Sequence, residues 1–436
     1  MSLFGALTTA ISGLNAQSRA LGNVSDNVAN SQTVGFKRVD TQFVNYLTQS
    51  TNASHSPGSV IARPDYTNGV QGTIEQSGDP LALAIGGGGM FSVAAALGSA
   101  NGRPVFDERQ FFTRAGDFRL DRDGFMVNGS GYYLQGWPSD TAGSPDRTTL
   151  SPIQVNQQVF NPVPTTGMEL AANLPPPTPT TPISAQMQLY DSLGVRHIVN
   201  LGFSQTAPNV WDLAIDVPDD IGAAARGTAE IRFGAGGPPA VAASPDGTIA
   251  GFGTVTGSVT AAAGVTGDPA EITFNADFGQ GPQTVTLNLG AIGEARGLTQ
   301  FAATAFSVRN QTQNGVPLGS YAGVAMRENG DVAVNYDNGQ SRIIARVPLV
   351  AFSDADKLQR LDGQAFMRTV ESGEARVTDP ASNGVGKLVT GSVERSNVDI
   401  ATEFTKLIVA QRAYTANTRI VTASDELLQE TINMRR

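Results

Sequence analysis

The sequence predicts a multidomain α+β protein in which long terminal α-helices pair in coiled-coil fashion and mainly antiparallel β domains lie between them, one inserted in the other. Three observations predict this. Heptad-spaced apolar residues run through both ends of the chain, whereas the interior switches to a period of two punctuated by Asn-Gly and Asp-Gly turns. The length of 436 residues exceeds what one core organises and points to about two to four domains.

The first helix is expected from Ser2 to Asn30. One stripe along it reads Leu7, Ile11, Leu14, Ser18, Leu21, Ser25, Val28, and beside it runs a stripe of mostly small residues, Leu3, Ala6, Ala10, Gly13, Gln17, Ala20, Val24. Small residues let a neighbouring backbone come close. Residues 31–72 are polar and turn-rich, with Gly35, Pro57, Gly58, Pro64 and Asn68-Gly69, and read as a connector carrying a short helix around Asp40–Leu47. From Thr73 the texture becomes that of hairpins, with strands expected at Gly89–Ala94, Gln110–Thr113, Asp117–Leu120 and Phe125–Asn128. Residues 80–102 are uncharged, but Pro80 and the run Gly86–Gly89 make them strand–turn–strand rather than a membrane span.

The Pro-rich run Leu174–Pro179 marks a boundary. Beyond it, Gln186–Leu189, Ile198–Phe203, Trp211–Val217, Glu271–Phe274 and Thr284–Leu289 read as strands of a sandwich or barrel, with Gly- and Ala-rich 222–268 partly loop. Strands return at Tyr321–Met326, Val332–Tyr336 and Ile343–Phe352. The division that follows is a helical assembly domain of 1–30 with 397–436, the connector 31–72, a β-rich wall domain of 73–165 with 318–396, and an inserted β domain at 166–317.

The last helix is capped by Ser396, with Asp399 three residues on, and runs without Gly or Pro from Asn397 to about Met434, a length of roughly 57 Å. One stripe reads Ile400, Phe404, Leu407, Gln411, Tyr414, Thr418, Val421, Asp425, Leu428, Ile432. A second reads Val409, Ala413, Ala416, Ile420, Ala423, Leu427, Met434, with Glu430 its one polar member. The stripes are offset by two residues, about 200° around the helix, so this helix needs partners on two flanks. The two ends are predicted to meet as an antiparallel pair. With their stripes uncovered, residues 1–30 and 398–436 are expected to be largely disordered in a free monomer.

Charge and chemistry narrow the function classes. The formal net charge of −10 disfavours nucleic acid, and aromatic residues do not interleave with basic ones. Residues 1–30 and 397–436 are each neutral, so the surplus acid lies between them. The absence of cysteine excludes disulfides, thiolate metal sites and cysteine nucleophiles, and suits a chain that works outside a reducing compartment or crosses a membrane unfolded. Met1–Ala20 lacks the pattern of a secretory signal. Two histidines, His55 and His197, stand far apart; no Gly-x-Ser-x-Gly or phosphate-binding loop occurs; and Asp121-Arg122-Asp123-Gly124 opens like a calcium loop but reads better as a hairpin turn. No catalytic, cofactor or metal-binding residue is assigned.

Several stretches carry a family resemblance. They are Asn27–Arg38 with Asn30, Gly35 and Phe36, then Ala84–Phe91, Phe112–Phe118, Ser396-Asn397-Val398-Asp399, and Gln411–Asn417 with Arg412. These resemble the rod and hook axial proteins of the bacterial flagellum. Tyr190–Gly194 with Trp211, Leu298–Phe301 and Tyr336–Ser341 favour the hook type, and the resemblance is weakest at 218–296.

The resemblance implies a structural subunit, not an enzyme, without cofactor or membrane insertion. Such a subunit is exported by the flagellar type III apparatus without a cleaved signal peptide and self-assembles outside the cell. Its product is a curved tubular universal joint that passes torque from rod to filament. Its implied partners are further copies of itself, the distal rod, the hook cap and the hook–filament junction proteins. The helices would line the channel, the sheet domain form the wall and the inserted domain lie outside. Assembly is then expected to use Leu7, Ile11, Leu14, Leu21 and Val28 with Ile400, Phe404, Leu407, Tyr414, Val421, Leu428 and Ile432. A distal-rod subunit is the alternative within the family, and a secreted glycan-binding or adhesive β protein the alternative outside it.

Overall fold

The computed structural model describes residues 3–50, 55–100, 102–175, 182–234 and 244–434. The chain forms two compact units. The first comprises Met1–Gln157, Ala322–Asn335 and Ser341–Arg436, and the second Gln158–Tyr321 with Tyr336–Gln340.

In the first unit α1 spans Leu3–Ala29 and α2 spans Ile400–Asn433, and the two pack together. A close seam between the two helices, and a hairpin packed on α1, support them in this structure. α2 begins later than its expected Ser396 cap. Asp399 is the N-cap, its carboxylate accepting from Thr402 N at 3.0 Å. The reason lies in Asn397, whose Oδ1 accepts Arg38 N at 2.7 Å while its amide donates to the carbonyls of Thr67 and Val70, at 3.3 and 3.2 Å. Those bonds hold the chain before Asp399 outside the helix.

Residues 31–72 are not a loose connector with a helix at Asp40–Leu47. They hold a long antiparallel hairpin, β1 (Val39–Ser50) and β2 (His55–Tyr66), in register Val39↔Tyr66 and Phe43↔Ala62. Val39, Thr41, Phe43 and Val44 favour pleated backbone, yet a two-stranded hairpin alone is marginal in water. α1 supplies the missing support. Asn27 brackets Val39 with two bonds of 2.9 Å, donating to its carbonyl and accepting its N–H. Asn23 donates to Thr41 Oγ1 at 2.8 Å, Ser12 accepts Val60 N at 3.2 Å, and Thr9 donates to Gly58 O at 2.8 Å.

The rest of the unit is built on a sheet whose main path runs Tyr321–Met326, Asp331–Tyr336, Ser341–Arg346, Tyr132–Pro138, Phe91–Ala100, Phe111–Thr113, Ala365–Met367, Gln359–Arg360, with two-stranded pairs beside it such as Leu83–Gly86 with Lys387–Thr390. Its core holds Leu83, Phe91, Phe118, Leu134, Val332 and Val347, with the rings of Phe91 and Phe118 edge-to-face at 5.6 Å. The strand expected at Ile343–Phe352 is split into Ser341–Arg346 and Leu349–Ala351, since Pro348 has no N–H for a ladder. Asp121 is committed to its turn, its Oδ1 accepting the N–H groups of Asp123 and Phe125 at 2.9 and 2.8 Å while Gly124 takes φ 81°.

The second unit is a β-sandwich. Among the described residues it has two five-stranded sheets, Thr260–Ala261, Pro269–Asp277, Pro282–Ala291, Gly167–Asn173, Ser307–Gln313 in one and Ile183–Tyr190, Arg196–Ala207, Val210–Asp216, Ala225–Phe233, Ile249–Val255 in the other. The pairing is antiparallel except where Gly167–Asn173 meets Pro282–Ala291. Their inner faces share one core with Trp211 and Phe274 buried. Leu174 and Ile183, on either side of the Pro-rich run, both lie in that core, so the run links two strands of one sandwich and is not its boundary; residues 176–181 lie outside the described residues. Much of 222–268 is strand, and 235–243 lie outside the described residues. No helix among the described residues is long and apolar enough to cross a membrane.

Candidate functional site

The helix seam is made of small and polar groups. α1 buries Ala10, Gly13, Ala20, Val24 and Asn27, and α2 buries Glu403, Ala410 and Ser424. Two contacts set an antiparallel register. A Cβ on Gly13 would lie 3.0 Å from Asn417 Nδ2, and Asn27 Nδ2 donates to Glu403 Oε2 at 3.0 Å. The stripe of α1 that meets α2 is therefore the small-residue one. The Leu7–Val28 stripe, which its size recommends as the filling of one flank of α2, lies beside the seam, because small side chains allow the closer approach of the two backbones.

A polar cluster fastens this seam to the hairpin. Lys406 Nζ donates to Glu403 Oε1 at 2.7 Å and to Asp40 Oδ1. Partial burial acts to lower the Lys406 pKa, but the bonds and charges of Asp40 and Glu403 outweigh it and hold it above the ordinary lysine value.

The large apolar residues are left over. On α1, Ile11 is exposed, while Leu7, Leu14, Leu21 and Val28 are half-buried. On α2, Leu407, Val421 and Leu428 are half-buried at the seam's edge, and Ile400 and Tyr414 are exposed. Phe404 is 52%, Val409 61%, Leu427 55% and Ile432 67% exposed. Rows of bare apolar residues on this scale are uncommon on a surface that meets only water.

Beneath the helices lies a buried charged joint. Glu394 is fully enclosed; its Oε1 accepts from Lys37 Nζ and from Gly72 N (2.8 Å), and its Oε2 from Arg114 NH1 at 2.9 Å. Arg114 also donates to the carbonyls of Ile85 and Gly87, at 3.3 and 2.8 Å. Burial lowers the pKa of Lys37, with Arg114 adding to the effect against the pull of Glu394, and burial lowers that of Arg114.

Of the motif residues, Gly35 meets this joint and the others lie elsewhere in the unit. Gly35, at φ 71°, donates to Glu394 O at 2.8 Å, and a Cβ there would sit 2.5 Å from Ala115 N. Phe36 lies under the Arg360 guanidinium at 5.3 Å. Asn30 closes the end of α1 through bonds to Asp26 O and Oδ1 of 3.0 and 2.9 Å. Ser396 is buried and accepts Val398 N at 3.3 Å, Asn417 packs at the seam, and Gln411 and Arg412 are exposed on α2. Asn27, Glu403, Arg114, Glu394 and Arg360 were not singled out by the sequence. Arg114 and Asn27 stand inside the motif stretches, and the charge of Glu403 between two apolar stripes is the one signal it offered.

Four family profiles match the chain. They are Flagella basal body rod protein at residues 7–37, Flagellar hook protein FlgE/F/G D1 domain at 84–163, Flagellar basal body protein FlaE D2 domain at 158–316, and Flagellar basal body rod FlgEFG protein C-terminal at 389–434. The flagellar hook protein FlgE of Brucella abortus is 32% identical over 443 residues, covering 100% of both chains. Those of Rhizobium meliloti and Escherichia coli K12 are 30% and 28% identical, covering 100% and 99% of this chain and 100% of each relative. The crystal structure of Helicobacter pylori flagellar hook protein FlgE2 aligns with 72% of this chain and 98% of its own at a TM-score of 0.47 and 13% identity, a likeness too slight to bear on the geometry above. Matched from end to end by hook proteins, the chain belongs to the flagellar hook protein FlgE family.

Proposed function

We propose that this chain is the structural subunit of the flagellar hook, self-assembling through its terminal helices into the tube that joins rod to filament. One observation carries the reading. The helix pair closes its own seam with Ala10, Gly13, Ala20 and Ala410 and leaves Phe404, Val409, Ile420 and Leu427 bare, which is the arrangement of a part awaiting neighbours. Hook relatives spanning the whole chain disfavour the distal-rod and glycan-binding alternatives. The role is that of a mechanical part without catalysis. Export by the type III apparatus, and contacts with the rod, the cap and the junction proteins, belong to the same proposal.

The test is a doubly substituted chain, Val409→Asp with Ile420→Asp, at two exposed positions of α2. Its monomer should keep the wild-type circular dichroism and fail to form tubes under negative-stain electron microscopy. Tubes of wild-type yield from this variant would remove the helices from assembly.

A further inference from the structure

A cleft of about 740 Å³ opens in the first unit beside α1, walled by that helix, by β2 and by the segment Arg360–Phe366. Three guanidinia line it, those of Arg19, Arg63 and Arg360, against two carboxylates, those of Asp26 and Asp362. Among the described residues none of the three arginines is in an ion pair. Arg360 instead donates to the carbonyl of Lys37 and lies over the rings of Phe36, Tyr66 and Phe366, while Arg63 donates to Tyr46 Oη at 3.0 Å. The guanidinia thus outnumber the carboxylates by one in a chain of net charge −10, and with Arg360 engaged, Arg19 and Arg63 are the two left for a partner.

The end of α2 carries the inverse pattern. From Asp425 onward the sequence has three acids, Asp425, Glu426 and Glu430, and two bases, Arg435 and Arg436, against the cleft's three bases and two acids. Glu430 is the one charged member of the row Val409, Ala413, Ala416, Ile420, Ala423, Leu427, Met434. Covering that row strips water from its carboxylate, which then requires a cation. Glu426 and Glu430 are both exposed and stand one turn apart, with their side chains on one face.

The chain cannot make this contact with itself. Pairing of Gly13 with Asn417 and of Asn27 with Glu403 places Leu3 near Leu427, so Glu430 lies past the described start of α1. The cleft begins at Arg19, roughly 25 Å or more further along the helix.

We propose that this cleft receives the last turns of α2 from a second copy of the chain, with Glu426 and Glu430 meeting the guanidinia of Arg19 and Arg63. The contact rests on the self-assembly reading above and gives it a direction. It joins one end of the helix pair to the other end of the next, a heterologous contact that propagates as an open polymer.

Two reversed full-length chains test it, one carrying Glu426→Arg and Glu430→Arg, the other Arg19→Glu and Arg63→Glu. All four positions are exposed, so both monomers should match wild type in circular dichroism and urea midpoint. Each alone should raise the critical concentration for tube growth about tenfold or more, because like charges face each other. An equimolar mixture should restore growth, since each chain's tail then fits the other's cleft. Tubes of wild-type yield from either reversed chain alone, or a mixture as inactive as its components, would overturn the pairing while leaving wild-type assembly intact. Failure of the wild-type chain itself to form tubes would instead remove the reading beneath it.

Discussion

Glu394 binds three distant parts of the chain, Lys37 after α1, Gly72 before the sheet and Arg114 within it, through a carboxylate with no access to solvent. Removing one partner of such a group leaves buried cations uncompensated, and the cost is about 3–5 kcal/mol. Glu394→Gln should therefore destabilise the first unit by that amount and leave the second unchanged. The two tryptophans make this measurable, since Trp137 lies in the first unit and Trp211 in the second. Urea unfolding followed by fluorescence in Trp137→Phe and Trp211→Phe backgrounds reads each unit separately; a loss below about 1 kcal/mol in the first would show the joint to be dispensable. The residues of this joint were only partly legible in sequence. Gly35 was marked by its motif, and its left-handed φ and contact with Ala115 explain it. Glu394 was not, because nothing local distinguishes a buried carboxylate from a solvated one when its partners lie 280 and 357 residues away.

At the scale of elements, both helices were legible because heptad spacing persists over many turns, whereas the seam between them was not. Two stripes of α1 were open to α2, but helices that approach closely bury small residues, and Gly13 against Asn417 decides the matter. The β1–β2 hairpin was misread because Phe43, Val44 and Leu47 are also spaced as a helix face would be; the support that makes it a hairpin comes from α1, far outside any local window. The Lys406 cluster gives this layer a pH signature. Its folded pKa is raised above 10.5, so the folded state holds the proton more tightly than the unfolded chain. The contribution is complete below pH 10.5 and is lost as pH rises through the higher folded value. The urea midpoint of the first unit should fall as pH rises past about 10.5, and Lys406→Met should show a smaller alkaline loss, the remainder coming from Tyr132 and Tyr133, whose phenols burial also holds above their ordinary value. An identical alkaline loss in the variant would place its origin elsewhere.

For the whole molecule, the α+β class with two helical ends around β units was legible from the change of period along the chain. The Pro-rich run misled because proline marks a turn without saying whether a core continues across it, and Leu174 and Ile183 share one core on its two sides. The proposed role as a building part rests on the division within its helices, a seam of small residues already closed and rows of large ones still open. The most direct measurement is an electron cryo-microscopy map of the polymer grown from the purified chain. It should show a curved tube in which Ile11, Phe404, Val409, Ile420 and Leu427 are covered by neighbouring copies. A polymer that leaves these residues bare, its subunits joined only through their β units, would contradict the account.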